Sequence, residues 1–141
     1  MVFAGDHIMN GSTVVIVPPG GNMKDYIESL QRLLDYDVKA IAPGHGEIIP
    51  GCRDEVEKLV RHRLMREAKV VANLGRSGPV PIETLVVSVY DDVPEAMHRW
   101  AQLSLLAHLL KLEVDGRACQ SAGIWSLTQY AANHILTITA R

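Results

Sequence analysis

The sequence lacks the features that mark membrane and secreted proteins. No apolar run approaches the ~20 residues that a transmembrane helix needs. The first ten residues, MVFAGDHIMN, have neither the basic start nor the apolar core of a signal peptide. The two cysteines, Cys52 and Cys119, are not in CxxC spacing, which favours reduced thiols over a disulfide or a zinc knuckle. We therefore expect a soluble, cytoplasmic protein.

Aromatic residues and excess positive charge are also scarce. Two Trp, four Tyr and one Phe are scattered singly, so no base-stacking platform is predicted. Residues 1–75 carry nine Lys and Arg against ten Asp and Glu, and residues 76–141 carry five against six, so each part has a net charge of −1. This balance provides no broad basic surface for phosphate groups, and composition does not favour nucleic acid binding.

The first part of the chain alternates between strand and helix patterns. Three short strands are predicted, at VFAG, at residues 13–17 (TVVIV) and at VKAIAP, with a helix at NMKDYIESLQRLLDYD. A long amphipathic helix follows, from about residue 53 to 74, and its predicted apolar stripe comprises Val56, Leu59, Val60, Leu64, Ala68, Val71 and Leu74. GRSGPVP then breaks the chain, and we place a domain boundary between residues 1–75 and residues 76–141. Strand–helix–strand order indicates an α/β fold class.

The second part reads as two helices and a small hairpin. PIETLVVSVYDD predicts a short helix, and Pro94 opens a longer one that closes at Gly116. The stripe of that longer helix comprises Met97, Ala101, Leu105, Leu109 and Leu112. RACQSAGIWSLTQY predicts a two-stranded turn around Ala122-Gly123. This order is typical of a small winged-helix-like α+β domain.

Two residues with metal-binding side chains follow predicted strands beside glycine. VFAGDHI presents Asp6 after Gly5, and AIAPGHGEII presents His45 between Gly44 and Gly46. Physics alone leaves three uses open: metal ligands, an acid/base pair, or turn residues satisfied by backbone hydrogen bonds. Ligand sites of open α/β sheets gather at the carboxyl ends of strands, and Asp oxygen and His nitrogen are natural zinc ligands. This placement favours a metal site.

VFAGDHI, the helix MKDYIESLQRLL and PGHGEII, in this order, resemble the last two metal-binding motifs of the metallo-β-lactamase superfamily. HRLMRE and VPEAMHRWAQLSLLAHLLKLEVDGRA narrow the resemblance to β-lactamase-like hydrolases with a winged-helix tail, a subgroup that includes single-strand-specific endoribonucleases. The resemblance covers about residues 1–120. It implies part of an αββα sandwich followed by a winged-helix-like domain. It also implies that Asp6 bridges two zinc ions and that His45 is a terminal ligand of the second.

The family's main ligand cluster, His-x-His-x-Asp-His, is absent from the sequence. The resemblance therefore implies the C-terminal portion of a longer hydrolase, in which two zinc ions activate water against an ester, a thioester or a phosphodiester. We expect this chain alone to bind one zinc ion or none and to be inactive. The implied substrate is a small acyl ester or thioester, or single-stranded RNA. An exposed sheet edge would favour self-association, and no membrane partner is expected.

Four further residues can be interpreted as functional or as structural. His62 and Arg63, in RHRLMRE, match a recurrent pair of the subgroup and are candidate substrate-binding residues; the alternative is a solvated basic helix face. His7, next to Asp6, is a candidate accessory site residue, and His108, in LLAHLLKL, is expected in a core or an interface. The alternative function is that of a noncatalytic winged-helix protein that binds a partner or nucleic acid. However, the 95–115 helix has few polar residues for reading a DNA groove.

Overall fold

The structure is a computed structural model, and it describes residues 1–133. Its strands and α-helices include, in chain order, β1 (Val2–Gly5), α1 (Met23–Arg32), β2 (Ala40–Pro43), β3 (Ile49–Pro50), α2 (Cys52–Ser77), β4 (Val80–Pro81), α3 (Ile82–Val89), α4 (His98–Val114), β5 (Ala118–Ser121) and β6 (Ile124–Leu127). Short 3₁₀ turns at Leu33–Asp35 and Glu95–Met97 follow α1 and precede α4. In residues 1–133, no helix is both long and apolar enough to cross a bilayer.

Contacts divide the chain into two compact units. Unit 1 comprises Met1–Val15 and Lys24–Met65, and unit 2 comprises Ile16–Met23 and the chain from Arg66 onwards. Helix α2 runs unbroken through residues 75 and 76, so the domain boundary predicted there stays a prediction.

Unit 1 is built on a three-stranded sheet in the order β1-β2-β3. Strand β1 pairs in parallel with β2, from Val2 opposite Ile41 to Gly5 opposite Pro43, and β3 is antiparallel to β2. Helix α1 connects the two parallel strands, which is the predicted strand–helix–strand unit. The side chains of Ile8, Leu30 and Ile41 are fully buried in this unit. The parallel pairing brings the carboxyl ends of β1 and β2 to the same edge of the sheet.

The strand predicted at residues 13–17 is not formed. This segment has no regular secondary structure, and the carbonyl of Val14 accepts a hydrogen bond from the buried guanidinium of Arg63. A β-branched run becomes a strand only where a neighbouring strand supplies partners for its backbone groups. Here a side chain satisfies the carbonyl instead, so the prediction was wrong.

Unit 2 has the element order of a winged helix. Strands β4, β6 and β5 form an antiparallel sheet in that order, and α3 and α4 precede the β5–β6 hairpin. The predicted turn at Ala122-Gly123 is confirmed, with φ of 49° and 79° at its two residues. One core joins α2, α3, α4 and the sheet; its buried members include Val70, Leu74, Leu85, Val89, Leu105, Leu109, Leu112 and Trp125.

Two predicted apolar stripes are partly wrong. On α2, Leu64 and Ala68 are exposed, whereas Arg63 and Glu67 are buried. Glu67 pairs with Lys111, whose Nζ lies 2.9 Å from its Oε2, and with Arg117 at 3.2 Å, so the buried carboxylate is compensated. Met97 is exposed because it ends a 3₁₀ turn before α4 begins. His108 is fully buried, as expected.

The side chain of Arg66 in α2 contacts Val89, Tyr90 and Asp92, all in unit 2. Its guanidinium donates to both carboxylate oxygens of Asp92, at 2.7 and 2.9 Å, and to the carbonyl of Val89 at 2.8 Å. It also lies 4.3 Å from the centroid of the Tyr90 ring. The hydrogen bonds from Arg66 lower the pKa of Asp92 to about 2. These contacts tie α2 to the end of α3 and the loop after it.

Candidate metal site at the sheet edge

The structure brings Asp6 and His45 together at the carboxyl ends of β1 and β2. Asp6 follows Gly5 directly, and His45 follows the Pro43-Gly44 turn. The Nε2 atom of His45 lies 3.5 Å from Oδ1 of Asp6. Both side chains are exposed, by 77% for His45 and 73% for Asp6. An approaching ligand therefore has open access to the carboxylate and the imidazole.

Gly44 lies where the two segments approach each other closely. The backbone N–H of Gly44 donates to the carbonyl of Gly5 at 2.7 Å, which extends the β1–β2 pairing into the site. A Cβ atom on Gly44 would lie 2.6 Å from Oδ1 of Asp6 and 3.1 Å from the carbonyl carbon of Gly5. Any side chain here would displace the Asp6 carboxylate.

The His45 loop is fixed by a second contact across the site. The side-chain amide of Asn10 donates to the carbonyl of Glu47 at 3.2 Å. Gly46, between His45 and Glu47, has φ of +90°, a backbone conformation that glycine adopts without strain. The loop after β1 is thus joined to the loop after β2 by this side-chain hydrogen bond as well as by the backbone bond of Gly44.

The spacing of the two side chains fits ligands of one zinc ion. Zn–N and Zn–O bonds of about 2.0–2.2 Å at the tetrahedral angle place two ligand atoms about 3.4 Å apart. The observed separation of 3.5 Å between Nε2 of His45 and Oδ1 of Asp6 agrees with this value. Within residues 1–133, no group of three or more His, Cys, Asp or Glu side chains surrounds a common point. Among these described residues, the structure therefore brings together two side chains of the types that bind zinc, whereas a structural zinc ion takes four.

Behind Asp6, the next residue is anchored to α1. Oγ of Ser29 lies 2.7 Å from Nε2 of His7, and the Tyr26 hydroxyl donates to the carbonyl of His7 at 3.2 Å. The His7 and Tyr26 rings meet edge-to-face, with centroids 4.9 Å apart. Burial lowers the pKa of His7, which favours the neutral imidazole. Burial also raises the pKa of Tyr26, partly offset by Arg63, so this hydroxyl stays protonated and able to donate.

The two candidate substrate-binding residues differ in exposure: Arg63 is buried and His62 is exposed. Arg63 is 4% exposed, and its guanidinium carbon lies 5.2 Å from the centroid of the Tyr26 ring. His62 is exposed. The substrate-binding role of His62 and Arg63 stays a prediction, and the observed contacts of Arg63 are with the protein itself. No sequence pattern indicates the His7–Ser29 contact, because Ser29 lies 22 residues further along the chain and a serine inside a helix carries no distinctive signal.

The second part of the chain matches a known family. The family described as "Beta-lactamase associated winged helix domain" matches residues 82–125, which include α3, α4 and β5. Two curated relatives are both called "Beta-lactamase-like protein 2 homolog". The relative from Caenorhabditis elegans is 30% identical over 115 residues, which are 82% of this chain and 38% of that protein. The relative from Drosophila melanogaster is 29% identical over 118 residues, covering 82% and 39%.

Solved structures with the same fold cover both units. A metallo-beta-lactamase family protein from Thermus thermophilus superposes with a TM-score of 0.75 at 24% identity, over 90% of this chain and 42% of the other. A beta-lactamase domain protein from Burkholderia ambifaria gives a TM-score of 0.75 at 21% identity, over 90% and 41%. The chain thus spans about two fifths of the length of the proteins it matches. The predicted α/β fold class, a partial sandwich followed by a winged helix, is confirmed.

Proposed function

We propose that this chain is part of a metal-dependent hydrolase of the metallo-β-lactamase superfamily, to which its similarities point, and that it supplies Asp6 and His45 as ligands of the metal site. The observation that carries the proposal is the separation of 3.5 Å between Nε2 of His45 and Oδ1 of Asp6 at the edge of the sheet. The clearance created by Gly44 supports it, because that glycine leaves room for the carboxylate.

The two side chains suit different roles at such a site. A carboxylate has two oxygens and a negative charge, so Asp6 can contact two cations at once and offset their mutual repulsion. An imidazole ligand offers a single lone pair, so His45 suits one cation. When bound, a pair of zinc ions supplies a water molecule activated for attack on an ester, thioester or phosphodiester bond. Asp6 and His45 would contribute two of the side chains that hold and orient such a metal pair.

Two ligands give weak binding by themselves. A catalytic zinc site takes three protein ligands and a water molecule, and the described chain brings only two side chains together. We therefore propose that this chain alone binds zinc weakly, in the micromolar range or above, and does not turn over substrate. In a longer protein the substrate is a small acyl ester or thioester, or single-stranded RNA.

Zinc titration by calorimetry tests the proposal. The chain is expected to bind zinc with a dissociation constant above about 1 micromolar, because two ligands leave half of the coordination shell to water. The Asp6→Ala/His45→Ala variant is expected to lose this binding. The matched control is Asp54→Ala/His62→Ala, which removes an exposed carboxylate and an exposed imidazole from α2. Equal loss in both double variants, or sub-micromolar affinity of the wild type, would contradict the proposal.

The alternative function, a noncatalytic winged-helix protein that binds nucleic acid, has less support. A helix that enters a DNA groove needs a polar face open to solvent. Every side chain of α4 from Ala101 to Leu112 is buried or half-buried. Salt-dependent oligonucleotide binding that survives Asp6→Ala/His45→Ala would favour this alternative.

A further inference from the structure

We infer that Ser29 and Tyr26 of α1 are positioning residues for the Asp6 carboxylate and act through His7. This inference rests on the proposed role of Asp6 as a metal ligand. The contacts of His7 with Ser29 and Tyr26 lie outside the ligand pair and would restrain the residue next to Asp6. Asp6 is 73% exposed, so little packing holds its side chain directly. Its direction therefore depends on how firmly the backbone on either side is held.

The backbone is tied on both sides of Asp6. Before it, the carbonyl of Gly5 accepts the hydrogen bond from Gly44 at 2.7 Å. After it, the N–H of His7 donates to the carbonyl of Ala4 at 3.0 Å, and the carbonyl of His7 accepts from Tyr26 at 3.2 Å. These bonds restrain the backbone on both sides of Asp6, and its two side-chain torsions then set the direction of the carboxylate.

The side chain of His7 forms a further hydrogen bond, with Ser29, whose donor and acceptor can be assigned. The Ser29 hydroxyl has one proton, and it donates to the carbonyl of Tyr26 at 2.7 Å. The oxygen then faces Nε2 of His7 with a lone pair at 2.7 Å, so Nε2 carries the proton and donates. Ser29 thus locks the imidazole to α1 and fixes its tautomer.

Arg63 supports the network from behind. Its guanidinium packs over the ring of Tyr26 at 5.2 Å from the centroid and donates to the carbonyl of Val14. A cation over an aromatic face is stabilised by the ring quadrupole. The contact restrains Tyr26, and Tyr26 in turn restrains His7. Arg63, a buried charged residue of α2, is thus linked through Tyr26 and His7 to the loop that bears Asp6.

The test uses Ser29→Ala and Tyr26→Phe in the full chain. Ser88→Ala is the matched control, because Ser88 makes the same bond to the carbonyl three residues earlier, at Leu85, but lies in unit 2. The first readout needs no metal: hydrogen exchange of the Gly44 amide, which bonds to the residue before Asp6. The second readout is the zinc dissociation constant by calorimetry.

Both positioning variants are expected to speed Gly44 exchange about tenfold without changing exchange in α4, and to weaken zinc binding about tenfold. Ser88→Ala is expected to change neither quantity. A purely structural role would raise exchange throughout unit 1 and leave zinc affinity intact; that result overturns the inference, as does Gly44 exchange equal to the control. Zinc binding that is unaffected by Asp6→Ala/His45→Ala, or that is lost equally in Asp54→Ala/His62→Ala, refutes the proposed function instead. Gly44 exchange then decides whether the network holds this segment.

Discussion

The Arg66–Asp92 pair gives a prediction whose size follows from the structure. The pKa of Asp92 falls from 3.8 to about 2, which corresponds to about 2.4 kcal/mol at 1.36 kcal/mol per unit. The Asp92 side chain is 56% exposed, and solvent screening reduces this value by half or more. We therefore expect a coupling free energy of about 1 kcal/mol at pH 7.

The pH dependence has a definite sign. Because the pKa of Asp92 is lower in the folded state, its contribution is complete well above the unfolded value of 3.8 and is lost as the pH falls through about 2. About half of the coupling remains at pH 3 by this linkage. Higher salt weakens the coupling at neutral pH.

A double-mutant cycle with Arg66→Gln and Asp92→Asn measures the coupling by urea unfolding at pH 7 and pH 3. The cycle is needed because Arg66 also bonds to Val89 and packs on Tyr90, and the single variant loses those contacts as well. Asp91→Asn is the control, since the ion pair of Asp91 is with the partly exposed Lys69, and Asp91 acts on Arg66 only over a longer distance. Coupling below about 0.3 kcal/mol at pH 7 and low salt, or coupling unchanged at pH 3, would refute the reasoning.

Three other changes test the packing of the unit 2 core, the close contact between Gly44 and Asp6, and the buried Glu67–Lys111 ion pair. Leu105→Ala removes a fully buried side chain of the unit 2 core and is expected to cost about 3–5 kcal/mol in urea unfolding; a loss under about 1 kcal/mol would contradict the described packing. Gly44→Ala is expected to displace the carboxylate of Asp6 and to abolish zinc binding in calorimetry, while far-ultraviolet circular dichroism stays unchanged; retained affinity would show that the close approach is not required. Lys111→Met leaves the buried carboxylate of Glu67 with weaker compensation and is expected to cost about 3 kcal/mol in urea unfolding, whereas Glu67→Gln/Lys111→Met restores part of that stability; no recovery in the double variant would argue against a paired charge.

Sequence reasoning recovered what depends on local periodicity. Helix α1, helix α2 and the β5–β6 hairpin follow from apolar spacing and turn residues, and they are present in the structure. The meeting of Asp6 with His45 followed from a topological rule, because residues after parallel neighbouring strands share one edge of a sheet.

What sequence reasoning missed depends on partners far along the chain. The run at residues 13–17 has high strand propensity, but Arg63, 49 positions after Val14, takes the carbonyl of that residue. The apolar pattern of α2 predicts a buried face without charged residues. In the structure Arg63 and Glu67 lie on the buried face, because other elements supply partners for their charges. A buried position taken by a paired polar residue cannot be predicted from the sequence pattern, because the partner comes from a distant part of the chain.

The exposure of the ligand pair has an electrostatic consequence. Asp6 and His45 face bulk water, where two unit charges 4 Å apart attract by only about 1 kcal/mol. At an effective dielectric constant of about 20 the same attraction is about 4 kcal/mol. Covering this edge with further protein surface would therefore raise the Coulomb attraction between the Asp6 carboxylate and a cation about fourfold while every atom of the pair stayed where it is, and the cost of removing the charges from water would offset part of that gain.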